Sequence, residues 1–265
     1  MSSGPEHLVQ LQNVSLRYGM GSKATLAIDG IDMDIRRGEF VAVVGPSGCG
    51  KSTLMKIISG LAPISDGVAL VEGREVAGPL KSVGMAFQAS NLLPWRNTID
   101  NVMLPLEVVE PHKRRIGSHR AEYEAKIEAL LQRVGLGGFG KKFPWELSGG
   151  MQQRTSICRA LIHEPEILLL DEPFGALDAF TREDLWCTLR DLHAERGVTV
   201  LLVTHDLREA AFLADTVYVF SPRPGRIVMR YEVDLPRPRD IKLTYSPGFA
   251  DTVQMLRGHI RHQQD

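Results

Sequence analysis

One stretch of the chain decides how its core folds: the run FVAVV at 40–44, followed directly by GPSGCGKS at 45–52. The first part is an unbroken apolar run, which is typical of a strand buried on both faces of a parallel sheet. The three glycines at 45, 48 and 50 predict a tight turn after it. From Lys51 to Gly60 the sequence then favours a helix. Strand, glycine-rich turn and helix in this order open an α/β unit.

The turn satisfies the pattern G-x-x-x-x-G-K-[ST], in which successive backbone N–H groups surround a phosphate. Glycine is needed because side chains would obstruct the anion, and the positive end of the following helix faces it. Lys51 supplies a mobile charge for the β- and γ-phosphates, and the Ser52 hydroxyl can ligate Mg²⁺. A turn of this composition can match by chance, but the flanking strand and helix favour a nucleotide site. The residues predicted to hold the nucleotide here are Gly45, Pro46, Ser47, Gly48, Cys49, Gly50, Lys51, Ser52 and Thr53.

Two acids, Asp171 and Glu172, follow a second continuous apolar run, Ile167–Leu170. A strand of this kind predicts that Asp171 lies near the phosphate loop, where its carboxylate can hold the Mg²⁺ shell. Glu172 points in a different direction along the chain, so it is available to orient and deprotonate an attacking water. Two acids at a strand end can also be a simple polar turn, but the phosphate loop upstream favours the catalytic interpretation.

Composition limits the remaining classes of function. The chain has 265 residues, with 31 Lys and Arg against 32 Asp and Glu, so its net charge of −1 argues against nucleic-acid binding through a bulk positive field. No run approaches the roughly 18 apolar residues of a membrane span, and the N-terminus lacks the pattern of a secretory signal. The three cysteines, Cys49, Cys158 and Cys187, form no CxxC pair, which favours a reducing compartment.

The segment LSGGMQQ at 147–153 resembles LSGGQ, the signature sequence of the ATP-binding cassette (ABC) ATPases, with Met151 in place of the commonest glutamine. Other motifs of that family follow in the same order. Gln88 matches the Q-loop, Ala176-Leu177-Asp178 the D-loop, His205 the switch histidine, and Tyr18 the aromatic residue that stacks on adenine.

The resemblance covers about residues 8–235 and implies an α/β fold, a P-loop NTPase of ABC ATPase type. We therefore expect a RecA-like core with an antiparallel β subdomain, and a helical subdomain inserted at about 91–160. Residues 236–265 are expected to form a short C-terminal linker and helix.

The resemblance also implies roles for the matched residues. A head-to-tail homodimer would sandwich two ATP molecules, each held by one phosphate loop and by the partner's signature residues Ser148, Gly149, Gly150 and Gln152. Asp178 would lie at the dimer seam and His205 would hydrogen-bond the γ-phosphate. Gln88 would join Ser52 and Asp171 around Mg²⁺ and report the nucleotide state to a neighbouring domain. Every catalytic position of the family pattern is filled, so an active, symmetric ATPase is expected.

A chain without a membrane segment would need separate membrane subunits to act in transport. Leu92, Leu93 and Trp95 form a candidate docking surface for a permease helix, although they can also pack within the helical insert. The segments LLPW (92–95), FGALD (174–178) and SPRPGRI (221–227) resemble ATPases of bacterial nitrate/sulfonate/taurine-type importers. This implies a peripheral protein on the cytoplasmic face of the inner membrane, served indirectly by a solute-binding protein and binding no nucleic acid.

Two other classes of function remain open from the sequence. One is the ATPase of an exporter or lipid-trafficking complex, and the other is a soluble ABC protein that remodels ribosomes or DNA. A C-terminal basic stretch either binds a regulatory anion or forms a solvated face. Its residues are Arg223, Arg226, Arg230, Arg237, Arg239 and Lys242.

Overall fold

The structure is a computed structural model that describes residues 6–19, 21, 24–175 and 177–261. Two sequence predictions lie partly outside the described residues: Ala176 of the D-loop motif, and residues 262–265 of the predicted C-terminal linker and helix. The chain divides into a first unit, Met1–Leu80 with Arg196–Asp265, and a second unit, Lys81–Glu195.

The strands, in chain order, are β1 His7–Tyr18, β2 Thr25–Arg36, β3 Phe40–Val44, β4 Asp66–Val71, β5 Arg74–Glu75, β6 Val83–Ala86, β7 Ile167–Asp171, β8 Thr199–Thr204, β9 Thr216–Phe220 and β10 Ile227–Glu232. The helices are α1 Lys51–Ile58, α2 Thr98–Met103, α3 His112–Arg115, α4 Arg120–Arg133, α5 Gly149–Leu161, α6 Ala179–Arg196, α7 Leu207–Leu213 and α8 Pro247–Arg261. Short 3₁₀ turns cover Leu104–Glu107, Pro144–Glu146 and Ile241–Tyr245.

The first unit contains an antiparallel sheet and a set of buried strands. The antiparallel sheet has the order β2-β1-β4-β5. In the second set, β3 pairs in parallel with β8 on one side and β9 on the other, and β10 runs antiparallel to β9. Every residue of β3, β8 and β9 is buried, which explains why these segments read as continuous apolar runs rather than alternating ones.

The second unit combines a parallel strand pair with helices. β6 and β7 pair from Val83 opposite Ile167 to Ala86 opposite Leu170. The predicted helical stretch at 91–160 holds α2 to α5. Helix α4 buries Tyr123, Ile127, Leu130 and Leu131, whose spacing is that of one helix face.

A buried guanidinium fastens the C-terminal end of α7 in the first unit. Arg239 is 1% exposed, and its Nη1 donates to the carbonyls of Phe212 (3.2 Å) and Ala214 (2.6 Å), while Nη2 donates to Val233 (3.3 Å). The last carbonyls of a helix have no partner within it, so the guanidinium satisfies them. Burial is the main cause that lowers the pKa of Arg239, to about 10.

The prediction of a solvated basic face is therefore wrong for Arg239, and its neighbours in the stretch also have partners. Arg226 pairs with Asp29, Arg230 with Glu232, and Arg237 with Asp215. These charges are used to fasten the C-terminal stretch onto the first unit, a role that the charge run alone did not reveal.

Replacing Arg239 with methionine should destabilise the fold, because three buried carbonyls would lose their donors. We expect the Arg239→Met variant to lose about 2–4 kcal/mol of unfolding free energy in a urea titration. Arg114→Met is the matched control, since its exposed pair with Glu110 should contribute no more than about 1 kcal/mol. Equal losses in the two variants would contradict the role given to Arg239.

Candidate nucleotide site

The phosphate loop, residues 45–52, joins β3 to α1 in the first unit. Gly48 (φ 75°) and Gly50 (φ 106°) adopt left-handed backbone conformations that strain residues with a side chain. A Cβ on Gly50 would also come within 2.6 Å of Ile28 Cγ2 and 2.8 Å of the Ala27 carbonyl oxygen. Glycine is thus required at Gly50 for two independent reasons, its backbone angles and the proximity of β2.

Lys51 turns back into the loop that precedes it. It is 5% exposed, and its Nζ donates to the carbonyls of Gly45 (2.8 Å) and Pro46 (2.9 Å) and lies 3.9 Å from Cys49 Sγ. The ammonium therefore sits inside the concave face of the loop, where phosphate oxygens can replace the two carbonyls.

Burial raises the pKa of the Cys49 thiol despite the opposing charge of Lys51, so Cys49 is a small buried residue rather than a reactive thiolate.

The segment SPRPGRI, residues 221–227, lies against the back of the phosphate loop, and we call it the strap. The Gly225 N–H donates to the Ala27 carbonyl, and the Asp29 N–H donates to the Gly225 carbonyl, each at 3.0 Å. A Cβ on Gly225 would approach the Cys49 carbonyl oxygen to 2.1 Å. Arg226 then locks the strap by an ion pair with Asp29 at 2.6 Å. In the sequence this segment was recognisable only by its resemblance to the importer ATPases, and its contact with the loop could not be predicted.

His205, also in the first unit, stands between β8 and α7, with backbone fixed on both sides. The Thr204 hydroxyl donates to the buried Glu209 carboxylate and accepts from the Asp206 N–H at 2.9 Å. Asp206 caps α7 by accepting from the N–H groups of Arg208 (2.7 Å) and Glu209 (3.4 Å). The His205 side chain itself is exposed. Its ring is therefore accessible to a ligand, while the backbone on either side of it is held in place.

Tyr18 ends β1 and is 42% exposed. Its ring is accessible to a planar ligand, and its stacking on adenine remains a prediction.

In the second unit, β7 ends at Asp171, which is half-buried, and the chain then turns sharply. Glu172 has φ 44°, a left-handed conformation that is uncommon for a residue with a side chain. Such conformations concentrate at functional sites, where the surroundings hold them. Phe174 anchors this turn by edge-to-face packing on Trp186, with ring centroids 6.5 Å apart.

The signature segment forms the N-terminus of α5. The Ser148 hydroxyl accepts from the Met151 N–H at 3.3 Å and so caps the helix. Ser148 and Gly149 are exposed, and a Cβ on Gly149 would meet no described atom within 4 Å. The first turn of α5 therefore presents its N–H groups in an open position that suits an anion.

Helix α5 also holds the segment around Gln88, which is exposed at the end of β6. The Gln153 amide donates to the Phe87 carbonyl at 3.2 Å, and the Ser90 hydroxyl donates to Gln152 Oε1 at 3.1 Å. Gln152, predicted to contact a nucleotide, thus holds a neighbour of Gln88 as well.

About two turns further along α5, Arg159 holds the backbone of Ser90 and Asn91. Its Nη2 donates to the Ser90 carbonyl at 2.7 Å and its Nη1 to the Asn91 carbonyl at 2.8 Å. Burial lowers the pKa of Arg159. The sequence analysis missed both Gln153 and Arg159, because their partners are backbone carbonyls more than sixty residues away.

The candidate docking loop, residues 91–96, is shaped by a buried amide. Asn101 is fully buried; its Oδ1 accepts from the Leu93 N–H at 2.7 Å, and its Nδ2 donates to the carbonyls of Leu93 (3.1 Å) and Arg96 (2.8 Å). Leu92 and Leu93 are half-buried, whereas Trp95 is 71% exposed. Packing within the helical insert thus partly buries Leu92 and Leu93 of the predicted docking surface, whereas the Trp95 indole remains exposed.

Asp178 is the last residue of the D-loop motif and is exposed. Its carboxylate accepts from the Thr181 N–H at 3.1 Å. Hydrogen bonds from Thr181, side chain first and backbone second, lower the pKa of Asp178.

Within the described residues, no group of three or more His, Cys, Asp and Glu side chains could hold a metal ion by itself. The predicted Mg²⁺ ligands are one carboxylate (Asp171), one hydroxyl (Ser52) and one amide (Gln88). These hard oxygen donors suit Mg²⁺, which keeps several waters and takes ligands from a substrate's phosphates. No helix in the described part of the chain has the length and apolar character to cross a membrane.

Comparison with known proteins gives consistent matches. The profile of the ABC transporter family matches residues 28–175. The aliphatic sulfonates import ATP-binding protein SsuB of Bacillus licheniformis is 45% identical over 222 residues, 84% of this chain and 83% of that protein. The taurine import ATP-binding protein TauB of Rhizobium johnstonii is 43% identical over 256 residues, 94% of this chain and 93% of that protein.

Solved structures agree with the predicted fold class. The ATP-binding cassette MJ0796, bound to ADP and Pi in a dimeric post-hydrolysis state, matches with a TM-score of 0.71 and 31% identity, covering 86% of this chain and all of that one. The cassette cbiO1 of Clostridium perfringens matches in fold, with a TM-score of 0.74 and 24% identity, over 97% of this chain and 98% of that one.

A methyl group on Gly225 should disturb the phosphate loop from behind. We expect Gly225→Ala to lose about 1–3 kcal/mol of unfolding free energy, because a Cβ cannot fit against the Cys49 carbonyl. Calorimetric titration should also show weaker nucleotide binding. Gly248→Ala is the control, since its Cβ would meet no described atom within 4 Å. Unchanged nucleotide affinity in Gly225→Ala would show that the strap does not shape the loop.

Proposed function

This chain belongs to the ABC transporter family, whose ATP-binding subunits are ATPases, and on that premise we propose that it hydrolyses ATP to drive uptake of a small solute. The observation that supports this most directly is the phosphate loop, in which the Lys51 ammonium faces the concave side of a backbone shaped for phosphate. The similarity to SsuB and TauB, both named import proteins, favours uptake and a sulfonate-like or taurine-like solute.

We propose that ATP binds with Mg²⁺ held by Ser52, Gln88 and Asp171. When bound, Mg²⁺ would supply positive charge that offsets the negative charge developing on the phosphates. The loop N–H groups and Lys51 bind the phosphates, and Tyr18 stacks on the base. Glu172 orients and deprotonates the attacking water, and His205 donates a hydrogen bond to the γ-phosphate.

The active form is proposed to be a head-to-tail homodimer. The exposed N-terminus of α5 supports this, because Ser148, Gly149 and Gly150 would complete the site of a second copy. Gln152 and Asp178 would lie at the same interface. Relatedness to MJ0796, which was solved as a dimer, points the same way.

Membrane permease subunits are the proposed partners, with a solute-binding protein acting indirectly from the other side. The exposed Trp95 and its half-buried neighbours Leu92 and Leu93 would receive a permease helix. The protein would then sit at the cytoplasmic face of the membrane.

The proposed organisation is a cassette at 8–235, with a helical subdomain at about 91–160, and a C-terminal segment at 236–265. An exporter ATPase and a soluble ABC protein are the competing assignments.

Removing the charge of Glu172 should separate binding from hydrolysis. We expect Glu172→Gln to bind ATP, to form a dimer that persists with ATP in light scattering, and to lose hydrolysis by about 10²-fold or more. Lys51→Ala should lose ATP binding, because the phosphates lose their cation. Glu183→Gln on α6 is the charge-matched control. Hydrolysis at the parent rate in Glu172→Gln would rule out Glu172 as the base.

The docking surface can be tested by capture from native membranes. Tagged Glu172→Gln protein, held with ATP, should co-purify a polytopic membrane protein, and adding Trp95→Ala should reduce the recovery at least about tenfold, because the central aromatic contact is lost. Trp145→Ala is the matched control, since that indole is 67% exposed but stacks on Phe143 outside the docking loop. Recovery of ribosomal or DNA-repair proteins without a permease would contradict the transport assignment.

A further inference from the structure

Helices α7 and α8 of the first unit pack against each other and leave a groove along one side, which we call the α7–α8 groove. Its larger part has a volume of about 600 Å³, within the usual range of small-molecule sites. A second part of about 480 Å³ reaches Asp206 and His205. Arg208, Val253 and Arg257 line both parts, so the two are continuous.

The floor of the larger part is apolar. The Phe249 ring is 1% exposed and Ala250 and Val253 lie beside it. The Arg208 guanidinium stands over the Phe249 ring, 5.8 Å from its centroid, a distance at which the ring attracts a cation. The buried ring therefore orients the Arg208 cation, and the apolar surface open to a ligand is that of Ala250 and Val253.

The charge of the groove is not neutralised from within. Among the described residues, Arg208 and Arg257 make no ion pair, whereas Arg226, Arg230 and Arg237 each pair with an acid. Asp206 is the acid on the lining, in the smaller part, and its carboxylate accepts the N–H groups that begin α7. Two guanidinium groups at the rim of one groove create a positive potential that an anion would relieve.

We propose that the α7–α8 groove binds a small organic anion, with Arg208 and Arg257 holding a carboxylate, sulfonate or phosphate and the accessible side chains of Ala250 and Val253 receiving its apolar body. Guanidinium groups suit such oxyanions because they offer planar pairs of donors. This site is separate from the phosphate loop and from the basic stretch at 223–242, in which Arg226, Arg230 and Arg237 are paired and Arg239 is buried.

Binding there would act on the segment that carries His205. Arg208 lies in the first turn of α7, which Asp206 caps, and Asp206 follows His205 directly. An anion joining Arg208 to Arg257 would tie the start of α7 to α8 and limit movement of the whole segment that carries His205 during the ATPase cycle, so hydrolysis should slow. This consequence rests on the proposed function, whereas the binding itself does not.

The test uses benzenesulfonate as the probe and the full chain labelled at alanine and valine methyl groups for NMR. Saturable shifts are expected at Ala250 and Val253, and the neutral isostere benzenesulfonamide should leave them unshifted at the same concentrations. Arg208→Gln and Arg257→Gln should each raise the dissociation constant about tenfold. In the double variant the probe should cause no shifts. Arg208→Lys should retain part of the affinity, because the charge remains.

Arg74→Gln removes an exposed charge on β5 and is the matched control, for which the affinity should not change. Equal binding of benzenesulfonamide, equal affinity in the double variant, or absence of saturable shifts would overturn the proposal. ATP hydrolysis, measured with saturating probe, should fall in the parent and not in the double variant. If the parent protein bound the probe but hydrolysed no ATP, the result would support the proposed anion site and contradict the proposed function.

Discussion

The structure of the first unit depends on a close approach of backbone to backbone behind the phosphate loop. Gly50 lies against β2 and Gly225 against the Cys49 carbonyl, and at neither position is there room for a Cβ. In front, the Lys51 ammonium draws the Gly45 and Pro46 carbonyls together. The loop is thus held from both sides before any ligand is present, which spares the binding step the cost of ordering several backbone N–H groups.

Helix α5 has the corresponding role in the second unit. Its N-terminus presents the signature residues, its side chains Gln153 and Arg159 hold the backbone on either side of Gln88, and Gln152 accepts from the Ser90 hydroxyl. One helix therefore carries the end that we propose to bind an anion and supports the segment that leads to the candidate docking loop. A displacement of α5 would move both together, because they share one set of hydrogen bonds.

The sequence predicted the parts of this structure that local pattern determines. The strand at Phe40–Val44 has the bounds of its apolar run, and the helix after the loop begins at the predicted Lys51, because continuous apolar runs and helical spacing are local signals. The strap, the Asn101 amide and the buried Arg239 could not be predicted, because each acts on backbone groups that only the fold brings near. Arg239 is the clearest case, since a charge run indicates a solvated surface unless helix-end carbonyls surround it. The roles of Glu172 and His205 come from motif order and stay predictions.

The buried Asn101 has a thermodynamic consequence for whatever molecule contacts Trp95. Because Asn101 and Arg159 already fix the backbone of residues 91–96, association restricts little more than the indole side chain. The conformational entropy lost on this side of the interface is then small, and the binding signal is dominated by the burial of apolar surface. Such an interface has a negative heat-capacity change, and its affinity responds to the area covered on the indole rather than to the order of the loop.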